Sequence, residues 1–245
     1  MSTQVIPWKE RMAALAKRTE DAEKPTGNFI TFRAGQMLFN DAPVPGNKLT
    51  GVCIDYIFEN AYFPDKFNPA KPASPICYAF GRKDSELKPH AECEEPQNTE
   101  CDGCIRNAWG SDPDGGRGKA CKNTRRLAIL HQDSLHSEKE ILEAAVAFCK
   151  IPVTSVRNWS TFANQCSTVL KVPPLAVITE ISVVPHPKNQ FEVLFKGSGV
   201  ITDDEILAAL VAKQELVAKN IMVPYPKNQK EGEPVVPKKD GKKYS

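Results

Sequence analysis

Half of the eight cysteines in this chain fall within one short segment, between Cys93 and Cys121. Residues 84–125 around them are rich in turn-forming glycines and charged side chains, so this segment cannot bury a core of its own. Lys9, Glu10 and Arg11 stand where an export signal needs an apolar stretch, so we expect a reducing compartment. In that environment clustered cysteines indicate a metal site rather than disulfides.

The spacing of three of these cysteines predicts structural zinc. Cys101 and Cys104 are separated by two residues, which suits two corners of a tetrahedron, and Gly103 relieves the turn between them. Cys121 follows Gly-Gly-Arg-Gly-Lys-Ala and can return to the same metal. A redox CxxC is the competing interpretation, but no thioredoxin-like βαβ pattern surrounds it. The residues leave the fourth ligand open among three candidates: Cys93, His90 and Cys77.

Hydrophobic patterns on both sides of this segment predict a mainly β protein with α insertions. Period-two runs predict strands at residues 29–33, 36–39, 49–58, 76–80, 126–131, 175–184 and 191–196. Capping boxes at Ser137/Glu140 and Thr202/Glu205 predict helices, the first ended by Pro152, and a further helix begins at Thr154 or Ser155. The order suits an OB-like, five-stranded Greek-key barrel with a zinc-binding loop and flanking helices, and excludes a doubly wound parallel sheet.

Composition shifts along the chain divide it into three parts. Residues 1–27 form a charged N-terminal arm, and residues 28–220 form the OB-like core with a zinc-binding insertion at 81–125. Residues 221–245 are rich in lysine and proline without an apolar period, which predicts a disordered tail. Apolar runs are too short to span a bilayer, so no membrane partner is expected. Cys53, Cys149 and Cys166 lie in apolar patterns and are expected to be buried.

The charge balance suggests a local basic surface. The whole chain carries a net charge of only +2, but from Ile105 to Arg126 six basic side chains oppose two acidic ones, a net +4. With Trp109 among them, this run suits a nucleic-acid backbone and stacked bases, although the same charges could neutralise thiolates nearby. The candidate phosphate contacts, expected in a solvated turn-rich region, are Arg117, Lys119, Lys122, Arg125 and Arg126.

A second cluster consists of aromatic side chains between residues 56 and 80. Tyr56 with Phe58, and Tyr78 with Phe80, share strand faces, and either pair could belong to the core. Three others lie beside prolines in a loop and are candidates for stacking with unpaired bases: Tyr62, Phe63 and Phe67.

The cysteine segment resembles a signature of bacteriophage and prophage replication-module proteins, several of them similar to single-stranded DNA-binding proteins. The matching residues run from Cys101-x-x-Cys104 through Asn107, Trp109, Gly110 and Ser111, then from Gly116-Arg-Gly-Lys-Ala-Cys121 to Arg125-Arg126-Leu127. The resemblance extends over residues 28–220, but only this segment is specific. It implies the ligands Cys77, Cys101, Cys104 and Cys121, with Cys93 as the substitute. One departure is the tail, which is basic here and acidic in many such binders.

Two hypotheses follow for the function. The first is a non-enzymatic single-stranded DNA-binding protein of a phage, acting with replication or recombination proteins in the cytoplasm of a bacterial host. The second is a zinc-stabilised structural or protein-recruiting factor without intrinsic DNA binding. A nuclease ranks third because Asp55, Glu59 and Glu180 form no recognisable motif. The oligomeric state does not follow from the sequence.

Overall fold

A computed structural model describes Met12 and residues 28–66 and 73–226 of the chain. The predicted arm at 1–27, apart from Met12, and the tail from residue 227 lie outside the described residues. The chain divides into two compact units. Unit 1 comprises Met1–Glu59, Gly81–Asp84 and Asn123–Met222, and unit 2 comprises Asn60–Phe80, Ser85–Lys122 and Val223–Ser245.

The described residues form nine strands and three α-helices. The strands are β1 (Asn28–Arg33), β2 (Gln36–Phe39), β3 (Ala42–Pro43), β4 (Lys48–Tyr62), β5 (Cys77–Gly81), β6 (Lys122–His131), β7 (Ala147–Ile151), β8 (Val177–His186) and β9 (Gln190–Val200). The helices are α1 (Glu138–Glu143), α2 (Val156–Gln165) and α3 (Asp204–Ala218). The prediction of a mainly β protein with α insertions is therefore confirmed.

The strands join in one curled, mixed sheet with the order β3-β2-β1-β7-β6-β4-β8-β9, and β5 pairs with β4. Strand β1 runs parallel to β7, with Asn28 opposite Ala147, whereas β6 and β7 are antiparallel. Strands β8 and β9 form an antiparallel hairpin, as the sequence predicts. Nine strands across the described residues exceed the five of the expected barrel, because short β1–β3 and central β7 extend the sheet.

The core of unit 1 lies on one face of this sheet, under α2. Trp159 and Phe162 on α2 are buried against Leu127 and Ile129 of β6. Three predicted core cysteines, Cys53, Cys149 and Cys166, are buried in the same cluster, which confirms their assignment as small hydrophobic side chains.

Gly51 allows β4 to cross close to β6. A Cβ atom at this position would lie 2.2 Å from the carbonyl oxygen of Leu130, closer than real Cβ contacts allow. Only glycine therefore fits here without a shift of one of the two strands.

Two sequence predictions in unit 1 are wrong in detail. The helix that begins after Ser137 ends at Glu143, and residues 147–151 form strand β7 instead of its continuation. Ala147, Cys149 and Ile151 alternate inward between β1 and β6, so sheet pairing overrides the helical period. Helix α3 is capped by Asp203, not Thr202, since its carboxylate accepts hydrogen bonds from two backbone N–H groups.

Unit 2 contains few regular elements. Its small core consists of Tyr62, Cys77 and Ala120, with Ile76, Cys93 and Cys121 packed around them. Ile221 of unit 1, the residue at which the sequence predicts the disordered tail to begin, is fully buried. No helix among the described residues is long and apolar enough to cross a membrane.

Candidate metal centre and nucleic-acid interface

Four cysteines from three separate segments of unit 2 line one small cavity. Strand β5 brings Cys77, a turn brings Cys101 and Cys104, and the residue before β6 is Cys121. The cavity holds about 20 Å³, close to the volume of a single water molecule or ion. Its other walls are Tyr62, Pro89, Gln97, Asn98, Glu100, Arg106 and Asn107.

Local hydrogen bonds hold the turn that carries two of these cysteines. Gly103 adopts a positive φ of 71° between Cys101 and Cys104, as the knuckle spacing requires. The side-chain amide of Asn107 donates to the Cys101 carbonyl at 2.9 Å, and the backbone N–H of Cys121 donates to the Arg106 carbonyl at 2.8 Å. These contacts bring the return cysteine alongside the knuckle.

Burial and neighbouring thiols raise the pKa of two cysteines in this cluster. Burial raises the pKa of Cys77 to about 11, and the neighbouring Cys93 and Cys101 add to this effect. Burial, together with Cys101, Cys77 and Cys104, raises the pKa of Cys121 to about 12. Without a cation Cys77 and Cys121 are therefore protonated at neutral pH, and a bound metal would have to displace these protons.

Cys93 lies beside the cavity but has a different role in the structure. Its sulfur accepts a hydrogen bond from the Tyr78 N–H and its S–H donates to the Tyr78 carbonyl, both at 3.1 Å. It also hydrogen-bonds the Cys77 thiol. Cys93 therefore ties its loop to strand β5, while Cys77 faces the cavity.

The fit to zinc is chemical rather than geometric. No group of three or more His, Cys, Asp or Glu side chains within the described ranges is arranged so that it could hold a metal ion. Four thiols around a cavity of ion size are nevertheless the donor set that tetrahedral zinc prefers. His90, the remaining candidate, stacks on the Tyr78 ring with 5.3 Å between ring centroids. The zinc assignment stays a prediction.

The predicted stacking residue Trp109 lies on an exposed loop of unit 2. Its side chain is 79% exposed, and the nearby Ile105 is 74% exposed. The loop is closed by a hydrogen bond from the Gly110 N–H to the Gly118 carbonyl at 2.9 Å. The Lys119 ammonium lies 5.4 Å from the Trp109 ring centroid and donates to the Asn107 side chain at 3.2 Å. An exposed indole and a cation are thus held side by side.

The other predicted binding residues of unit 2 divide into exposed and buried groups. Arg117 and Lys122 are exposed, as a phosphate contact requires. Tyr62 is buried under the Arg106 guanidinium, 5.0 Å from its ring centroid, and forms a wall of the cysteine cavity. Phe63 is half-buried, and Phe67 lies outside the described residues.

Arg125 and Arg126 lie on strand β6 of unit 1 rather than in the expected solvated turn. Arg126 donates to the buried Glu59 carboxylate at 2.7 Å and to the Ile221 carbonyl at 3.0 Å. Its side chain is only 15% exposed, so we assign it to the framework. Arg125 is half-buried over Phe58, with 3.7 Å from its guanidinium carbon to the ring centroid.

Sequence reasoning missed Arg106 and left Phe58 unassigned. Arg106 immediately follows the knuckle and Ile105, and it is a further exposed cation of unit 2 that lies over the Tyr62 ring. Its position within the basic run was the signal that could have identified it. Phe58 could not be separated from a core aromatic because it shares its strand face with Tyr56.

An open groove in unit 1 does not suit nucleic acid. It holds about 580 Å³ between the starts of α1 and α3 and the end of β9. Its lining includes the carboxylates of Glu138, Asp203 and Glu205, which would repel phosphates. The cationic surface and this groove are therefore separate features.

No family model, no curated protein and no solved structure matches this chain.

Proposed function

We propose that this chain is a non-enzymatic single-stranded DNA-binding protein of a phage replication or recombination module. The observation that carries the proposal is the exposed Trp109 ring with the Lys119 ammonium beside it. An indole 79% exposed contributes little to folding, whereas it offers a flat apolar face to an unpaired base. The adjacent ammonium can hold the phosphate of the same nucleotide.

The charges around Trp109 support the same ligand. Arg106 and Arg117 are exposed on the same loop segment and Lys122 is exposed at the start of strand β6, which gives a basic surface in a chain of nearly neutral net charge. Phosphate contacts with such side chains release counterions and bind without regard to sequence. This combination favours single strands, because bases in a duplex are not free to stack on a side chain.

A structural zinc ion would stabilise the base of this loop. Cys77, Cys101, Cys104 and Cys121 would hold it, and their four thiolates would leave no position for water. The ion would cross-link three chain segments in unit 2, which has only a small apolar core. In this proposal the curled sheet of unit 1 is a distant, enlarged variant of an OB-like barrel.

The carboxylates of the sheet support a protein without catalytic activity. Asp55 binds Arg82 through both oxygens, and Glu59 binds Arg126 and Lys150. The third candidate, Glu180, pairs with Lys48 at 3.2 Å. These three carboxylates therefore already contact cations of the protein.

The DNA-binding proposal is tested by fluorescence titration with oligo-dT at several salt concentrations. Replacing Trp109 with Ala should weaken binding by about 1–3 kcal/mol at every salt concentration, because stacking is lost. Replacing Arg117, Lys119 and Lys122 with Ala should lower the slope of log affinity against log salt by roughly 0.7 for each phosphate contact. Lys88→Ala, an exposed lysine paired with Glu100 in the same unit, is the control and should change neither quantity.

Two outcomes would contradict the proposal. Failure of the parent protein to bind oligo-dT at low salt would exclude single-stranded DNA binding. Unchanged affinity in the Trp109→Ala variant, with intact folding, would exclude this loop as the interface.

Zinc is tested separately, by metal analysis of protein purified without chelator. We expect one zinc ion per chain in the parent and in Cys149→Ser, because Cys149 is buried in unit 1. Cys104→Ser should lose the metal, while Cys93→Ser should retain it if Cys77 is the fourth ligand. Folded parent protein with a zinc content near zero would refute the site.

A protein-recruiting factor is the second candidate. The exposed Ile105 next to Trp109 favours it, because two large apolar side chains in one loop also suit a protein partner. A stable protein complex that is lost in Ile105→Ser, combined with no oligo-dT binding, would select this alternative.

A further inference from the structure

Two arginine side chains of unit 1, from outside strand β4, lie against residues 55–58 of that strand. Arg82 binds the buried Asp55 carboxylate through both guanidinium nitrogens, with 2.7 Å between Nη2 and Oδ2, and donates to the Tyr56 carbonyl at 3.0 Å. Its charge is balanced by Asp55, so the role of Arg82 is to stabilise strand β4.

Arg125 is held differently. Its guanidinium carbon lies 3.7 Å from the Phe58 ring centroid, nearer than the cations over Tyr62 and Trp109. Nη1 donates to the Thr124 carbonyl at 2.9 Å, which fixes the plane. Within the described residues no ion pair involves Arg125, and the Asp84 carboxylate attracts its charge only from beyond ion-pair distance.

Packing explains Tyr56 but not the pairing of Phe58 with Arg125. Tyr56 contacts Trp159 edge-on, with 5.3 Å between centroids, and belongs to the side chains around the core cluster. Phe58 is not among the aromatic side chains packed against that cluster. Its ring is instead the support on which a half-buried guanidinium lies.

The chemistry of a supported guanidinium suits an unpaired nucleotide. The group is planar and has five N–H donors, of which Thr124 takes one. One face is covered by Phe58, and a nucleobase can stack on the opposite face. The remaining N–H groups along the edge can bind a phosphate. A protein carboxylate would be an equally good acceptor for these N–H groups, but it could not stack on the guanidinium plane.

We propose that Phe58 and Arg125 form a second contact for single-stranded nucleic acid, located on unit 1, in which the guanidinium lies between the Phe58 ring and an unpaired base. The inference rests on the proposed function and adds a binding element that is distinct from the Trp109 loop.

The test separates stacking from charge by the variant Arg125→Lys, which keeps the charge but loses the plane. In oligo-dT titrations its affinity should fall roughly tenfold while the salt slope stays at the parent value. Arg157→Lys, an exposed arginine on α2, is the matched control and should bind like the parent. Phe58→Leu should reproduce the loss, and near-ultraviolet circular dichroism of the buried Trp159 checks that each variant is folded.

Cross-linking of the parent protein to 5-iodouracil-containing oligonucleotides provides a readout that needs no variant. Peptides containing Phe58 or Arg125 should be modified in addition to those containing Trp109. If the parent binds and Trp109→Ala weakens it, but Arg125→Lys binds normally or no cross-link reaches β4 or β6, only this inference fails. If the parent does not bind oligo-dT, the proposed function and this inference both fail.

Discussion

The buried carboxylate of Glu59 gives the sharpest test of how unit 1 is held together. Its side chain is 0% exposed, and its two oxygens accept hydrogen bonds from Arg126 and Lys150, each at 2.7 Å. Glu59→Gln keeps the shape of the side chain and removes the negative charge that these two cations share.

The expected cost follows from the exposure of the two cations. Removing one partner of a buried ion pair costs about 3–5 kcal/mol, because the remaining charge cannot return to water. Arg126 is only 15% exposed, whereas the Lys150 side chain is 36% exposed and can reach solvent. One cation therefore bears most of the penalty, and we expect the lower end of the range, about 3 kcal/mol. The Lys48–Glu180 pair, with side chains 60% and 35% exposed, should contribute less than about 1 kcal/mol.

The assay is urea unfolding followed by the fluorescence of the buried Trp159, in a background where the other two tryptophans, Trp8 and Trp109, are replaced by Phe. This arrangement reports on unit 1 even if the two units unfold separately. With a urea dependence of about 1–3 kcal/mol per molar, a loss of about 3 kcal/mol lowers the midpoint by roughly 1–3 M. Glu180→Gln is the exposed control and should leave the midpoint nearly unchanged.

The reasoning would be refuted if Glu59→Gln lowered the midpoint no more than Glu180→Gln does. A second outcome discriminates further. Replacing Glu59 with Leu and both cations with Met should recover most of the lost stability, because no charge then remains buried.

Three further predictions concern the stability of unit 1, measured by the same urea assay. Gly51→Ala should cost more than about 1 kcal/mol of stability, because its Cβ would lie 2.2 Å from a carbonyl oxygen of β6. Gly199→Ala, with open space around the added Cβ, is the control and should be nearly neutral. Equal urea midpoints for the two variants would contradict the close crossing of β4 and β6. Asp203→Ala should cost about 0.5–2 kcal/mol of stability through loss of the α3 cap, and Thr202→Ala should cost much less. A larger loss in Thr202→Ala than in Asp203→Ala would show that Thr202 is the cap, as the sequence predicts. Burial raises the pKa of Cys149 to about 12, so the free energy that this thiol contributes to folding is complete below pH 9 and is lost as the pH rises toward 12. The Cys149→Ala variant should therefore lose less stability between pH 9 and 12 than the parent does. An unchanged dependence of the urea midpoint on pH would contradict this prediction.

Local patterns predicted most of the elements of this fold. The strands at 29–33 and 36–39, the β8–β9 hairpin and helix α2 follow from side-chain periods that neighbouring residues repeat. Strand β7 did not follow, since the apolar residues Ile141, Leu142, Ala145 and Phe148 satisfy a helical period that runs into it. Pairing with β1 and β6, which lie more than a dozen residues away along the chain, makes residues 147–151 a strand instead of a helix.

The candidate site shows the same division. Cysteine spacing alone identified Cys101, Cys104 and Cys121, because ligand geometry is local, and it left the fourth cysteine open. Only the tertiary structure brings Cys77 to the cavity and turns Cys93 to the Tyr78 backbone, since strand β5 decides which thiol faces inward.

For the cationic residues the sequence determined the charge, and the tertiary structure decided its use. Arg125 and Arg126 are adjacent residues of the same type, but strand β6 directs them to opposite faces of the sheet. One face supplies the buried Glu59 and the other the half-buried Phe58 ring. A buried carboxylate requires a cation to offset its desolvation, so Arg126 is committed to the fold, whereas the guanidinium of Arg125 lies against an aromatic ring instead of a carboxylate.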